Sequence, residues 1–147
     1  MLDVDELRER FLNLQFDTKS FEIDLDKAAA AARLAGEQRD QFTDPSHADF
    51  EVLPAFLASF ASGRRLPIDF PSLGGISMDG GKAVTSVQPV RADTELTGNT
   101  HLHEIYDKSG RSGRMIFIVA RTELVDQHGS LCAIIDGRQV VREKPAQ

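Results

Sequence analysis

The segment GEQRDQFTDPSHA, Gly36 to Ala48, holds a carboxylate at Glu37 and an imidazole at His47, with an Asp-Pro step before the histidine. A carboxylate and an imidazole within reach of one substrate suffice for general acid/base catalysis, one removing a proton and the other delivering it. Phe42 lies between them and exchanges no proton at any pH, so the two cooperate only if the loop curls back. Glu37 and His47 are therefore a fallback pair, and no catalytic residue is expected. His101 and His103 alternate and would share one face of a strand, the geometry of a metal pair. No cysteine or carboxylate supports them at ligand spacing, and no metal is expected. Arg111 and Arg114 flank the glycines of SGRSGR, where flexible amides and two guanidiniums can hold an anion such as phosphate. The plainer reading of that stretch is a solvated hairpin.

These groups need a scaffold. The chain's 147 residues are enough to bury a core as a single domain, 1–147, without disulfides or metals. Its one cysteine, Cys132, excludes an internal disulfide and a cysteine-rich zinc site and implies a reducing cytoplasm. The opening MLDVDELRERFLNL is too charged for a signal peptide, and no apolar run reaches the roughly 18 residues of a membrane span. A net charge of −6 argues against nucleic acid as the main partner. The excess acid lies almost entirely before Leu53, and the later half is near neutral, with arginines at Arg91, Arg111, Arg114, Arg121, Arg138 and Arg142. Scattered arginines are either a solvated face or a site for an anionic tail.

Periodicity divides the chain into a helical front and a strand-rich back. Val4, Leu7, Phe11 and Leu14 recur at helical spacing, predicting an amphipathic N-terminal helix within 1–17. SFEID, Ser20 to Asp24, alternates like a short strand. LDKAAAAARLAG predicts a helix capped by Asp24 or Asp26 and stopped by Gly36. FEVLPAFLASFASG has Pro54 suited to a first helical turn and so little polar face that it must be buried on most sides. Beyond Gly74, the segments AVTSVQPV, LTGNTHLHEIYD, MIFIVARTELVD and LCAIIDGRQVVRE read as consecutive antiparallel strands joined by RAD, KSGRSGR and QHGS. A curved antiparallel sheet wrapped around one apolar central helix is an α+β arrangement with the layout of a hot-dog fold.

VQPVRADTEL, EIYDKSGRSGRMIFIVARTELVDQHGSL and the Gly36–Ala48 segment together resemble a MaoC-like dehydratase domain, in particular the N-terminal, fatty-acid-synthase-type dehydratase half or subunit. The resemblance spans roughly Ser20 to Arg142. It implies an acyl thioester of coenzyme A or acyl carrier protein as substrate and no separate cofactor. Active members are similar to Gly-Asp-x-Asn-Pro-x-His-x-Asp, whose Asp and His handle water and the α proton. Here Gly36 matches, Glu37 stands for the Asp, Arg39 for the Asn, Asp40 for the Pro and Phe42 for the His, and Asp44 closes the motif. The imidazole is lost and the carboxylate reaches one methylene further, enough to upset a near-attack geometry. The resemblance thus implies a non-catalytic subunit of an (R)-specific enoyl-CoA hydratase or 3-hydroxyacyl dehydratase, paired as a homodimer or as a heterodimer with a catalytic hot-dog chain. Phe42, Phe50, Phe56 and Phe60 would line its acyl tunnel, and Arg111 and Arg114 would hold coenzyme A phosphates. Two alternatives stay open: a hot-dog acyl-CoA thioesterase using Glu51 or Asp49 beside the central helix, and a binding or assembly module with no thioester ligand.

Overall fold

The computed structural model describes residues 3–60 and 63–144. Helix α1 (Val4–Phe11) begins where the Asp3 carboxylate accepts the Asp5 N–H, and it turns Val4, Leu7 and Phe11 inward. It ends one turn before the apolar spacing does. Leu14 falls beyond it and is 44% exposed, because Asn13 reverses the chain at φ 62° into strand β1 (Gln15–Phe21). The strand expected at Ser20–Asp24 is thus β1, begun earlier and finished at Phe21, while Asp24 caps the next helix by accepting the Lys27 N–H. Helix α2 (Leu25–Leu34) presses Ala28, Ala29 and Ala32 against the body. It closes as a Schellman motif, Gly36 at φ 86° bonding the Arg33 carbonyl and Glu37 bonding that of Ala32.

One short turn, α3 (Asp40–Thr43), follows, and then α4 (Pro54–Leu57). The long central helix expected from FEVLPAFLASFASG is cut to this single α-turn. Phe56, Ser59 and Phe60 donate to the carbonyls of Leu53, Phe56 and Leu57, the three-residue spacing of tight turns rather than of a continuing α-helix. Ala61 and Ser62, within the expected helix, lie outside the described residues. Its apolar side chains are nonetheless used, since Phe50, Val52 and Leu57 are buried with Ala28 and Ala29 against the sheet.

Strands β2 (Ile76–Ser86), β3 (Leu96–Gly110), β4 (Gly113–Val125) and β5 (Leu131–Arg142) complete one antiparallel sheet in the order β1-β3-β4-β5-β2. Every pairing contains a register shift, at Gln15/Asp17, Asp79/Lys82, Leu102/Glu104 and Leu124/Val125, and such bulges bend and twist long strands. The β3–β4 turn places Arg111 and Ser112 at its tip with Gly113 at φ 95°, a left-handed position open to glycine. In the β4–β5 turn the Asp126 carboxylate accepts from the amides of His128 and Ser130. The strand expected at Ala83–Val90 instead runs from Ile76 to Ser86. Val87 and Gln88 leave the ladder, both amides turning to the Cys132 carbonyl, and Val90 enters the core.

The inner face of the sheet carries two apolar clusters. One joins Leu96, Leu124, Ala133 and Ile135 to α2 and α4; the other joins Leu102, Ile105, Ile116 and Ile118 to α1. Between them the inner-facing residues are small: Thr100 on β3, Ala120 and Thr122 on β4, Gly137 on β5. Side chains of that size cannot reach the layer above, and a cavity results.

Candidate functional site

Two regions carry chemistry, and they are built by different elements. The first is the loop after α2. There the Glu37 carboxylate is fully engaged by its own loop: Oε1 accepts from the amides of Gln38 and Arg39 and from Arg39 Nε at 2.9 Å, and Oε2 accepts from the Arg39 terminal nitrogen at 2.8 Å. These bonds, led by the Arg39 guanidinium, lower the Glu37 carboxyl to about 2. The same guanidinium lies 4.6 Å over the ring of Phe42, which is 7% exposed. Glu37, Arg39 and Phe42 thus form one closed stack. A carboxylate so strongly stabilised as an anion is a poor base at neutral pH. His47 uses Nδ1 to accept the Asp49 amide at 3.1 Å, so this nitrogen tightens the loop's own turn. Asp44 likewise holds Ser46 through its amide and hydroxyl, which lower its carboxyl.

The second region is the cavity, about 310 Å³, on the inner face of the sheet. Ile118, Ala120, Ile135 and Gly137 form its floor with the buried pair Thr100 and Thr122, whose hydroxyls meet at 2.7 Å. Phe60 and Leu66 close one side, Phe60 stacked on Phe21 with centroids 5.0 Å apart. Its rim is exposed and mostly cationic, with Arg64, Arg65, Lys82 and Arg138 against the single carboxylate of Asp79, which accepts the Gly81 amide.

Phe42 and Phe50 are both away from this cavity, Phe50 being a core residue 2% exposed. Phe56 is half-buried against the same core cluster, and of the aromatic residues expected to line a tunnel Phe60 alone borders the cavity. Arg114 is held between Asp107 at 2.8 Å and Glu143 at 3.0 Å, and the hydrogen bond it donates to Asp107 leads in raising its pKa. Arg111 is exposed at the hairpin tip. His101 and His103 do share a face, with ring centroids 5.8 Å apart, and burial holds the His101 imidazole below its usual range. Beside them Arg121 and Asp136 form a two-pronged ion pair at 2.8 and 2.9 Å. Glu51 accepts from Gln41 Nε2, and α4 begins at Pro54, which has no N–H to offer a thioester carbonyl. The cavity escaped sequence reasoning because its signal is an absence of bulk. Small residues recur at matching positions on three strands, and their register is visible only once the strands pair.

A family model described as "FAS1-like, dehydratase domain region" matches residues 14–134. Among curated proteins none matches the sequence. Solved structures share the fold. A MaoC-like dehydratase from Phytophthora capsici superposes with a TM-score of 0.65 at 19% identity, covering 99% of this chain and 51% of that one, so the present chain spans about half its length. The (R)-hydratase from A. caviae involved in PHA biosynthesis gives 0.59 at 20% identity, covering 90% and 96% of the two chains. The HadBC (3R-hydroxyacyl-ACP dehydratase) complex from Mycobacterium tuberculosis gives 0.65 at 14% identity, covering 88% and 96%. The sheet and its helices are those of a hot-dog fold.

Proposed function

The chain belongs to the FAS1-like dehydratase region family of MaoC-like hot-dog proteins, and from that membership we propose that it is the non-catalytic, acyl-thioester-binding subunit of an (R)-specific enoyl-CoA hydratase or 3-hydroxyacyl dehydratase. The observation that carries this reading is the closed Glu37–Arg39–Phe42 stack, which ties up the Glu37 carboxylate as a base and puts a phenylalanine, not an imidazole, beside it, while the loop's one histidine, His47, turns Nδ1 to the Asp49 amide. The ligand is a thioester of coenzyme A or acyl carrier protein, and no further cofactor is needed. Catalysis belongs to a partner hot-dog chain. A buried lone cysteine suits a reducing cytoplasm, and no helix among the described residues is long and apolar enough to cross a membrane. A thioesterase reading is less well supported, since α4 is a single turn opened by a proline.

The purified chain should hydrate crotonyl-coenzyme A and longer enoyl-coenzyme A substrates no faster than buffer, and Glu37→Gln should change nothing. Hydration that disappears in Glu37→Gln would refute the non-catalytic reading, and release of free thiol would favour the thioesterase.

The partner's place is supported by β2. Among the described residues it pairs with β5 on one side alone and no strand pairs with its other edge, and Ile76 and Met78 of this strand are 49% and 41% exposed. An open, partly apolar edge invites strand pairing with another chain. Light scattering at micromolar concentration should therefore give at least a dimer, either of this chain or with its catalytic partner. A monodisperse monomer that ignores a co-expressed hot-dog chain would count against the subunit reading.

A further inference from the structure

The floor of the cavity contains a hydrogen-bond donor that the protein does not use. Thr100 and Thr122 are 2% and 6% exposed, and their hydroxyls bond each other at 2.7 Å. In such a pair one hydroxyl hydrogen is shared and the other is left over. Among the described residues neither threonine has a second hydrogen-bond partner. Of the cavity lining, Ile118, Ile135, Phe60 and Leu66 accept no hydrogen through their side chains, and the acceptors Ser77 and Asp79 are engaged by Gln139 and the Gly81 amide. Gly137 adds room beside it, since a Cβ built there meets nothing nearer than the Ala120 carbonyl oxygen at 4.0 Å. A buried donor without an acceptor is costly, so the site favours a guest that supplies one.

We propose that this cavity selects acyl chains carrying an oxygen acceptor along the chain, such as a keto group, which seats against the Thr100–Thr122 hydroxyl pair while the rest of the ligand leaves past the cationic rim. The inference rests on the acyl-binding reading and adds to it a preference for oxygenated over plain hydrocarbon chains. Three features act together. The rim attracts an anion through Arg65, Lys82 and Arg138. The apolar walls take the hydrocarbon. The spare hydroxyl hydrogen discriminates at the floor, because a hydrocarbon guest of the same shape covers it without satisfying it.

The test is calorimetric titration of the purified chain with 5-oxohexanoyl-coenzyme A and with 5-methylhexanoyl-coenzyme A, which has nearly the same shape but no acceptor. The keto ligand should bind about tenfold more tightly, the value of one net hydrogen bond. Thr100→Val/Thr122→Val keeps the branched shape, and it should abolish this preference while preserving the affinity for the methyl ligand. Gly137→Leu, placed in the open space, should weaken both ligands, and Gly137→Ala should do so to a lesser degree. Circular dichroism on each variant confirms folding, and the single substitution Thr122→Ser, which keeps the hydroxyl, should retain the preference. Equal affinity of the two ligands for the unmodified chain overturns the inference and leaves acyl binding standing. A preference that survives the double valine variant, or binding indifferent to Gly137→Leu, overturns it as well. If neither thioester binds, the acyl-binding reading fails together with it.

Discussion

In Arg39→Ala the Glu37 carboxyl titrates well above its present value of about 2, rising toward 4.5. The expected rise is about 1 to 2 units, the effect of removing an adjacent cation. It stops short of 4.5 because the amides of residues 38 and 39 still donate to Oε1. Carbon-13 NMR titration of the glutamate carboxyl measures it, and an unchanged value would mean that the ion pair does not form in solution. A folded-state value depressed below 4.5 contributes stability that is present above 4.5 and is lost as the pH falls through about 2. Removing Arg39 shrinks that acid-side loss. Under the proposed non-catalytic reading it creates no hydratase, because Phe42 exchanges no proton.

Phe11→Ala is expected to cost about 3–5 kcal/mol, the usual range for truncating a buried phenylalanine. Phe11 is 4% exposed, belongs to the cluster of Leu102, Ile105, Ile116 and Ile118, and meets Phe70 with ring centroids 4.9 Å apart. It therefore ties α1, the sheet and the segment around residue 70 together, and its loss leaves a void that three elements cannot all relax to fill. Leu14→Ala is the control. Its side chain is 44% exposed and the change should stay within about 0.5 kcal/mol. Urea unfolding of the two variants against the parent provides the measurement, and equal costs would show that the α1 stripe does not dock as described.

The same two residues mark what could be read from the sequence. Spacing alone identified the N-terminal helix and three of its buried positions, and the long strands β3 to β5 were legible because each is rich in Val, Ile, Thr and aromatic residues and is bounded by turn residues. Leu14 continued the pattern by coincidence, since a left-handed Asn13 ends the helix region for reasons of chain reversal that hydrophobic spacing does not encode. The first half of β2, ISMDGGK, was missed because a bulge built on two glycines breaks the alternation. The apolar run around Pro54 was correctly read as buried and wrongly read as one helix, because burial depends on composition whereas helix length depends on how the chain must turn over the sheet. At the candidate site, the absence of an imidazole at position 42 was legible, and the capture of Glu37 by Arg39 was not, since it depends on side-chain direction in a loop.

The strand order β1-β3-β4-β5-β2 also apportions the entropy of folding. The central three strands are sequence neighbours joined by the tight turns at Arg111–Ser112 and Asp126–Ser130, so their contacts close short loops and cost little chain entropy. Both edges are different. β1 reaches β3 across the whole helical front, and β2 must pass β3 and β4 in sequence before it meets β5. Contacts of high sequence separation are the slow ones. The open edge of β2, where a second hot-dog chain would add its strand, therefore belongs to a part of the sheet whose closure is entropically dear. A partner that extends the ladder there would also hold in place a strand whose own pairing closes a long loop.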